Sequence, residues 1–396
     1  MGALDGIRVL DVSQVLAGPY SAQIMADNGA EVIRVESLEG DLCRNFTPSR
    51  GGQSTIFLAA NRGKRGIALN LKAPEARAVL HRLAERADIM IQSFLPARAK
   101  AFGIDYESVR RINLDLIHVT ISGYGHKGPL RNKPGLDTMV SAYAGLMAMT
   151  GEADGPPARF GTPAIDMSTG MMAYGAAMTA LIARNNGQGG QAVNLSLMET
   201  AISLHAFHAT NWLIEGQVGQ REGSGFLKLA PYEAMQCRDD TILLGAPSES
   251  GWQRICAALD APDLAEDPRF LTNADRVTNR PALRDALEKI LKTEDAAHWL
   301  LKCEAANAVA APIHTVDQVY EQEQVRANDM IVTVEDQEDG ELRLAGMPFK
   351  LSGTPGDPAG APPRLGEHTE EVLRGELGMS DADIAALREA GAIMIE

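Results

Sequence analysis

The chain has no run of about 18 consecutive apolar residues, which leaves no candidate for a membrane-spanning helix. Its first residues, Met1-Gly2-Ala3-Leu4-Asp5-Gly6, lack the basic and apolar regions of a signal peptide. Gly6 also stands where a myristoylation signal needs Ser or Thr, so no membrane partner is expected. Cysteine is scarce. The four present, Cys43, Cys237, Cys256 and Cys303, show no C-x-x-C spacing, so neither a zinc site nor a disulfide framework is expected, and they read as reduced cytoplasmic thiols. Basic residues are outnumbered as well: 37 Lys and Arg against 52 Asp and Glu give a formal net charge of −15, which argues against a sequence-independent grip on nucleic acid. An anionic ligand would need a local basic patch. What is present is apolar material: at 45% hydrophobic content, 396 residues can fill the cores of two domains.

Residues 7–12 read as a short apolar strand, 20–28 as a helix and 31–36 as a second strand, a βαβ opening. A dinucleotide site with Glu36 as the ribose acid fails at the first turn, which offers Gly18-Pro19 in place of three spaced glycines. Cations then cluster in Asn61-Arg62-Gly63-Lys64-Arg65, a pattern that either holds phosphates or is a solvated turn. Residues 74–86 read as an amphipathic helix with Ala76, Val79, Leu80 and Leu83 on one face, and 88–92 and 117–122 as strands. The latter ends in the loop Gly123-Tyr124-Gly125-His126, at the kind of position where open α/β sheets bind ligands; His126 is either a base or an exposed loop residue. Further on, Val193, Leu195 and Leu197 alternate as a strand, and 198–214 reads as one helix. The polar, Gly-rich stretch 216–225 reads as a linker, and 353–363 as an extended connector.

Asp166 is the residue that needs explaining, because an acid there opens an apolar helical run that includes Met171, Met172, Ala173, Ala177 and Leu181. One reading is an N-cap or first-turn acid that satisfies backbone N–H groups and complements the helix dipole. The other is a nucleophile whose acyl intermediates sit where helix N–H groups stabilise a developing oxyanion. The two readings are compatible.

Taken in order, several motifs resemble the family III CoA-transferases of the CaiB/BaiF type, the group of formyl-CoA, carnitine and succinyl-CoA-dependent dicarboxylate CoA-transferases. They are Val9-Leu10-Asp11 with Leu16-Ala17-Gly18-Pro19, Gly29-Ala30-Glu31-Val32-Ile33-Arg34-Val35-Glu36, and residues 61–65 with Ile67-Ala68-Leu69-Asn70-Leu71-Lys72. Ile121-Ser122-Gly123-Tyr124-Gly125, Gly135-Leu136-Asp137, and Asp166 with Gly170 continue the pattern. In the second half it runs through Pro231-Tyr232, Trp252, Asp267-Pro268-Arg269-Phe270 and Pro348-Phe349-Lys350, so nearly the whole chain is covered.

The resemblance implies an α/β fold with a Rossmann-like large domain, a smaller α+β domain and an interlocked, ring-like homodimer. The expected division is 1–215 for the large domain, 216–226 for a linker, 227–325 for the small domain, and 326–396 for a return linker and the end of the large domain. It implies a transfer of CoA from succinyl-CoA or a similar small acyl-CoA to a small carboxylic acid, through mixed anhydrides and an aspartyl-CoA thioester on Asp166. CoA and its esters enter as substrates, with no metal and no permanently bound cofactor. By position, Gln14, Val15, Leu16, Arg34, Leu71 and Lys72 would meet CoA, and Gly135, Leu136 and Asp137 the acyl site; Asp137 equally suits the cap of its own helix. Two departures stand out. Ala101 occupies a position where relatives carry Arg, so Lys100 or Arg98 would supply that charge, and Ala246-Pro247-Ser248-Glu249-Ser250-Gly251 replaces a glycine run of formyl-CoA transferase, which argues against formate. Arg44 and Arg50 are the unassigned cations that a dicarboxylate acceptor could use. An α-methylacyl-CoA racemase or a non-catalytic CoA-binding protein are the alternatives. The racemase needs a second acid/base group, and Leu136 stands where racemases of this superfamily carry His.

Overall fold

The computed structural model describes residues 2–358 and 360–395, and the chain divides into two compact units. The first comprises residues 1–146, 160–216 and 323–396; the second comprises 147–159 and 217–322.

The first unit is built on strands β1 (Arg8–Val12), β2 (Glu31–Glu36), β3 (Arg65–Leu69), β4 (Ile89–Gln92), β5 (Ile117–Ser122) and β6 (Ala192–Ser196). They pair in parallel in the order β3-β2-β1-β4-β5-β6, the doubly wound arrangement, with register Val9 to Val32 and Val9 to Ile89 across the centre. The connections are helical, among them α1 (Ala17–Asp27), α2 (Pro74–Ala84) and α3 (Pro96–Phe102), and α4 (Asp137–Tyr143) and α5 (Ala164–Ala183) lie between β5 and β6. With helices on both faces, the central strands are continuous apolar runs, and all four residues of β4 are buried. Ala76, Val79, Leu80 and Leu83 do form the buried face of α2.

Helices α1 and α5 pack against each other, and small residues make this close. Gly170, Ala173, Ala177 and Ala180 of α5 are all buried, and a Cβ on Gly170 would lie 2.6 Å from the Ala17 carbonyl oxygen. From the far end of the sequence, Val372, Leu373, Ile384 and Leu387 join the core over β1, β2 and β3, and Ile393 pairs antiparallel with Leu69 at the sheet edge.

Two sequence expectations differ from the structure after β6. Leu197 does not continue the strand, because Ser196 Oγ accepts the Glu199 N–H at 3.1 Å and starts a helix there. The expected single helix over 198–214 is two, α6 (Leu197–Ser203) and α7 (Phe207–Glu215), broken at Ala206 with φ +48°. A non-glycine residue at positive φ ends the i to i+4 ladder, and the His205 ring is tied to the Ala144 carbonyl at 2.7 Å beside the break.

The second unit has an antiparallel sheet of β7 (Tyr232–Gln236), β8 (Thr241–Gly245) and β9 (Val309–Pro312), with β8 in the centre. Its core is separate: Trp252, Phe270, Leu283, Leu287 and Leu291 are all buried there.

Candidate active site

Asp166 lies in the first turn of α5, partly buried. The N-cap position is Pro163, whose side chain cannot accept a hydrogen bond, so α5 has no local cap. Asp137 supplies it from α4. Its Oδ2 accepts the N–H groups of Ile165 at 2.9 Å and Asp166 at 3.0 Å, so Asp137 caps the neighbouring helix and makes no side-chain cap of its own. The N–H of Ala164 reaches the Thr162 carbonyl and that of Met167 the Pro163 carbonyl. All four leading N–H groups of α5 are therefore engaged, and the oxyanion role expected for them is not available in this arrangement.

Burial first, and then the negative charge of Asp137, push the Asp166 carboxyl up to about 7. A carboxyl raised this far still ionises near neutrality and is a better nucleophile than an ordinary aspartate when it does. The Gly135 backbone crosses Gly123 so tightly that a Cβ on Gly135 would lie 2.7 Å from the Gly123 Cα, which is how the loop after β5 feeds into α4. Leu136, next in the chain, is exposed. His126 has a buried Nε2 with no hydrogen-bond partner, and lies in the loop that leaves β5.

Over the carboxyl ends of β1, β2, β3 and β4 lies an open cleft, where open parallel sheets take their ligands. It brings together Gln14, Arg34, Leu71, Lys72 and Arg98 from the expected set. Lys72 and Arg98 are exposed. Val15 and Leu16 lie immediately beyond Gln14, at the turn into α1, and Lys100 is exposed on α3 away from the cleft lining. The sequence reading passed over Phe94 and Phe102, whose rings meet edge to face at 5.6 Å, with the Arg98 guanidinium 5.8 and 5.7 Å from their centres. The available signal was two phenylalanines flanking one short helix.

Beneath the cleft the cations turn inward. Arg34 is fully buried; it donates to Asp11 Oδ2 at 2.9 Å and to Asp41 Oδ2, and lies 3.9 Å from Glu36. Lys64 donates to Asp11 at 2.9 Å, to Asn61 at 2.8 Å and to the Pro19 carbonyl at 2.7 Å. Arg62 pairs through two hydrogen bonds with Asp27, at 2.8 and 2.7 Å. Arg62 and Lys64 of the 61–65 cluster are thus buried counter-ions, neither free phosphate ligands nor solvated charges. Arg44 is committed too, to Glu36, Gln53 and the Pro363 carbonyl, with the Phe57 ring 3.6 Å away. Arg50 donates to the Asp339 carbonyl on an exposed hairpin. Burial works against the Asp11 charge, but Lys64, Arg34 and the Ser13 hydroxyl outweigh it and hold the carboxyl at about 2. Burial draws Lys64 down to about 8 despite Asp11.

Among the described residues no group of three His, Cys, Asp or Glu side chains converges to hold a metal ion, and no helix is long and apolar enough to cross a membrane.

The doubly wound sheet, with a cleft at its strand ends that exposes two cations, is that of an α/β protein suited to an anionic ligand. The chain belongs to CoA-transferase family III, whose model matches residues 4–369. It is 36% identical over 99% of its length to an acyl-CoA transferase of Fusarium pseudograminearum, covering 88% of that protein. It is 33% identical over 98% of its length to succinyl-CoA:glutarate CoA-transferase of Homo sapiens, covering 90% of that protein. The crystal structure of a CaiB/BaiF family protein from Brucella suis matches with a TM-score of 0.87 at 32% identity, over 95% of this chain and 99% of that one.

Proposed function

We propose that this chain moves CoA from succinyl-CoA, or a small acyl-CoA like it, to a dicarboxylic acid, with Asp166 as the nucleophile. The observation that carries this is the Asp166 carboxyl, anchored through its backbone by Asp137 and raised to about 7. In the proposed cycle ionised Asp166 attacks the donor thioester carbon and expels CoA thiolate, forming a mixed anhydride. The thiolate then attacks the Asp166 carbonyl, which frees the donor acid and leaves an aspartyl-CoA thioester. The acceptor carboxylate attacks that thioester, and the released thiolate opens the second anhydride at the acceptor carbonyl. Asp166 returns as a carboxylate, and no net proton is moved.

In this reading Lys72 and Arg98 meet the CoA phosphates, the Phe94 and Phe102 rings flank the adenine, and Gln14 and Leu71 line the path between. Arg34 supports the cleft wall from below, and Gly135, Leu136 and Asp137 border the acyl site. The human relative named for succinyl-CoA and glutarate supports the choice of donor and acceptor. Four unpaired, buried cysteines support a reducing, cytoplasmic setting. The test is exchange between succinyl-CoA and a panel of acids, including glutarate, other dicarboxylates and formate. Turnover with dicarboxylates is expected; transfer to none of the acids, or to formate alone, would overturn the reading.

The first unit leaves large apolar residues uncovered: Met139 and Tyr143 on α4, Met171, Met172 and Ile182 on α5, and Trp212, Leu213 and Ile214 on α7, with Leu213 79% exposed. Exposed apolar surface of this extent marks an interface. Our reading is a homodimer with interlocked chains, in which these faces are covered by a second copy. Tagged and untagged protein mixed under native conditions should stay unexchanged for hours, because subunits leave only by unfolding. Exchange within minutes would count against interlocking.

A further inference from the structure

The turn from β1 into α1 has a backbone conformation that its sequence disfavours. Val15 has φ +66°, in the left-handed region, where a β-branched residue is an outlier. Val15 is half-buried. Hydrogen bonds hold the conformation. Ser93 Oγ accepts the Gln14 N–H at 2.9 Å, and Asp41 Oδ2 accepts the Val15 N–H at 2.9 Å. Asp41 is itself fixed, by Arg34 on that same oxygen and by the Cys43 N–H on the other at 3.0 Å. Arg34 also donates to the Ser13 carbonyl at 3.2 Å, so one buried ion network grips the turn at Ser13 and at Val15. Backbone strain that the surroundings over-determine in this way concentrates at functional sites.

We propose that Asp41 is a positioning residue, which holds the turn at Gln14, Val15 and Leu16 in its strained form so that acyl-CoA lies with its thioester against Asp166. The inference rests on Asp166 being the nucleophile. The turn joins the two parts of the site: Gln14 lines the cleft, and at the start of α1 the Ala17 carbonyl abuts Gly170, one helical turn beyond Asp166 on the same face. Release of Val15 to a negative φ would shift both Gln14 and Leu16. A displacement of about 1 Å at reacting groups lowers a rate by roughly 10²-fold.

Asp41→Ala is therefore expected to lower kcat by about 10- to 100-fold while CoA affinity, measured by calorimetry, changes less than about threefold, because the exposed cations of the cleft are untouched. The decisive measurement repeats Asp41→Ala in a Val15→Gly background. Glycine takes positive φ without strain, so nothing drives the turn to relax, and the same substitution should lower kcat by no more than about threefold. A purely structural role for Asp41 gives equal losses in both backgrounds, and that result overturns the proposal, as does wild-type kcat in Asp41→Ala. Should Asp41→Ala fail to fold, Ser93→Ala removes the other hydrogen bond without touching the ion network, and must show the same loss and the same relief by glycine. A wild type that transfers CoA to no acid overturns the proposed function and this inference together. A wild type that transfers CoA while the Asp41 and Ser93 variants do so at full rate overturns this inference alone.

Discussion

Asp166→Asn is expected to lower CoA transfer by at least about 10³-fold while leaving CoA binding intact, because the amide cannot form the anhydride. Wild type incubated with donor acyl-CoA should carry a CoA-sized mass adduct on the peptide containing Asp166, and the variant none. Full transfer activity in the variant would end the assignment. The raised carboxyl adds two signed consequences. Only the ionised form attacks, so kcat/KM should climb with pH through about 7 and level off above it. For stability, the folded value of about 7 lies above the ordinary 3.8, so ionisation disfavours the folded state. Below pH 3.8 both states are protonated and the penalty is absent; it grows as pH rises and is complete above about 7. At about 1.4 kcal/mol per pH unit over the interval from 3.8 to about 7, it amounts to roughly 4 kcal/mol. Asp166→Asn should therefore melt about 3–5 °C above wild type at pH 8, with almost no difference at pH 4. A lower melting point for the variant at pH 8 would contradict the burial argument.

The largest stability effect is expected at Arg34. Asp11, Glu36 and Asp41 are buried carboxylates opposed by Arg34, Lys64 and Arg44, and Arg34 reaches all three acids. Arg34→Leu leaves Asp41 without a counter-ion and Asp11 with Lys64 alone. Removing one partner from such a buried arrangement costs about 3–5 kcal/mol, far beyond an exposed ion pair. The urea midpoint should drop accordingly, or the protein should fail to accumulate in soluble form. The competing expectation is that Arg34 serves chiefly to hold CoA phosphates, in which case Arg34→Leu would melt like wild type and only its KM for acyl-CoA would rise. Lys72→Ala provides the contrast. Lys72 is exposed at the cleft, so its removal should raise that KM and leave the urea midpoint unchanged.

Features that depend on near neighbours along the chain are legible in the residues alone. Apolar runs at 31–36 and 117–122 became β2 and β5 at their expected limits, and the periodicity of Ala76, Val79, Leu80 and Leu83 defined the buried face of α2. Asp166 was legible as an acid at the start of an apolar helix, because Asp preference at helix starts and 3.6-residue periodicity are both local signals. Tertiary structure decided what those residues do. The cap of α5 comes from Asp137, 28 residues before Ile165, and no local rule connects them. In the sequence Arg62 and Lys64 read as a solvated turn or as phosphate ligands; Asp27 and Asp11, far earlier in the chain, lie beside them and make them buried counter-ions. The strained Val15 depends on Asp41, 26 residues later, and Asp41 in turn on Arg34. A charge or a cap is worth little in water and a great deal once buried, so its role depends on which distant segments the fold packs around it.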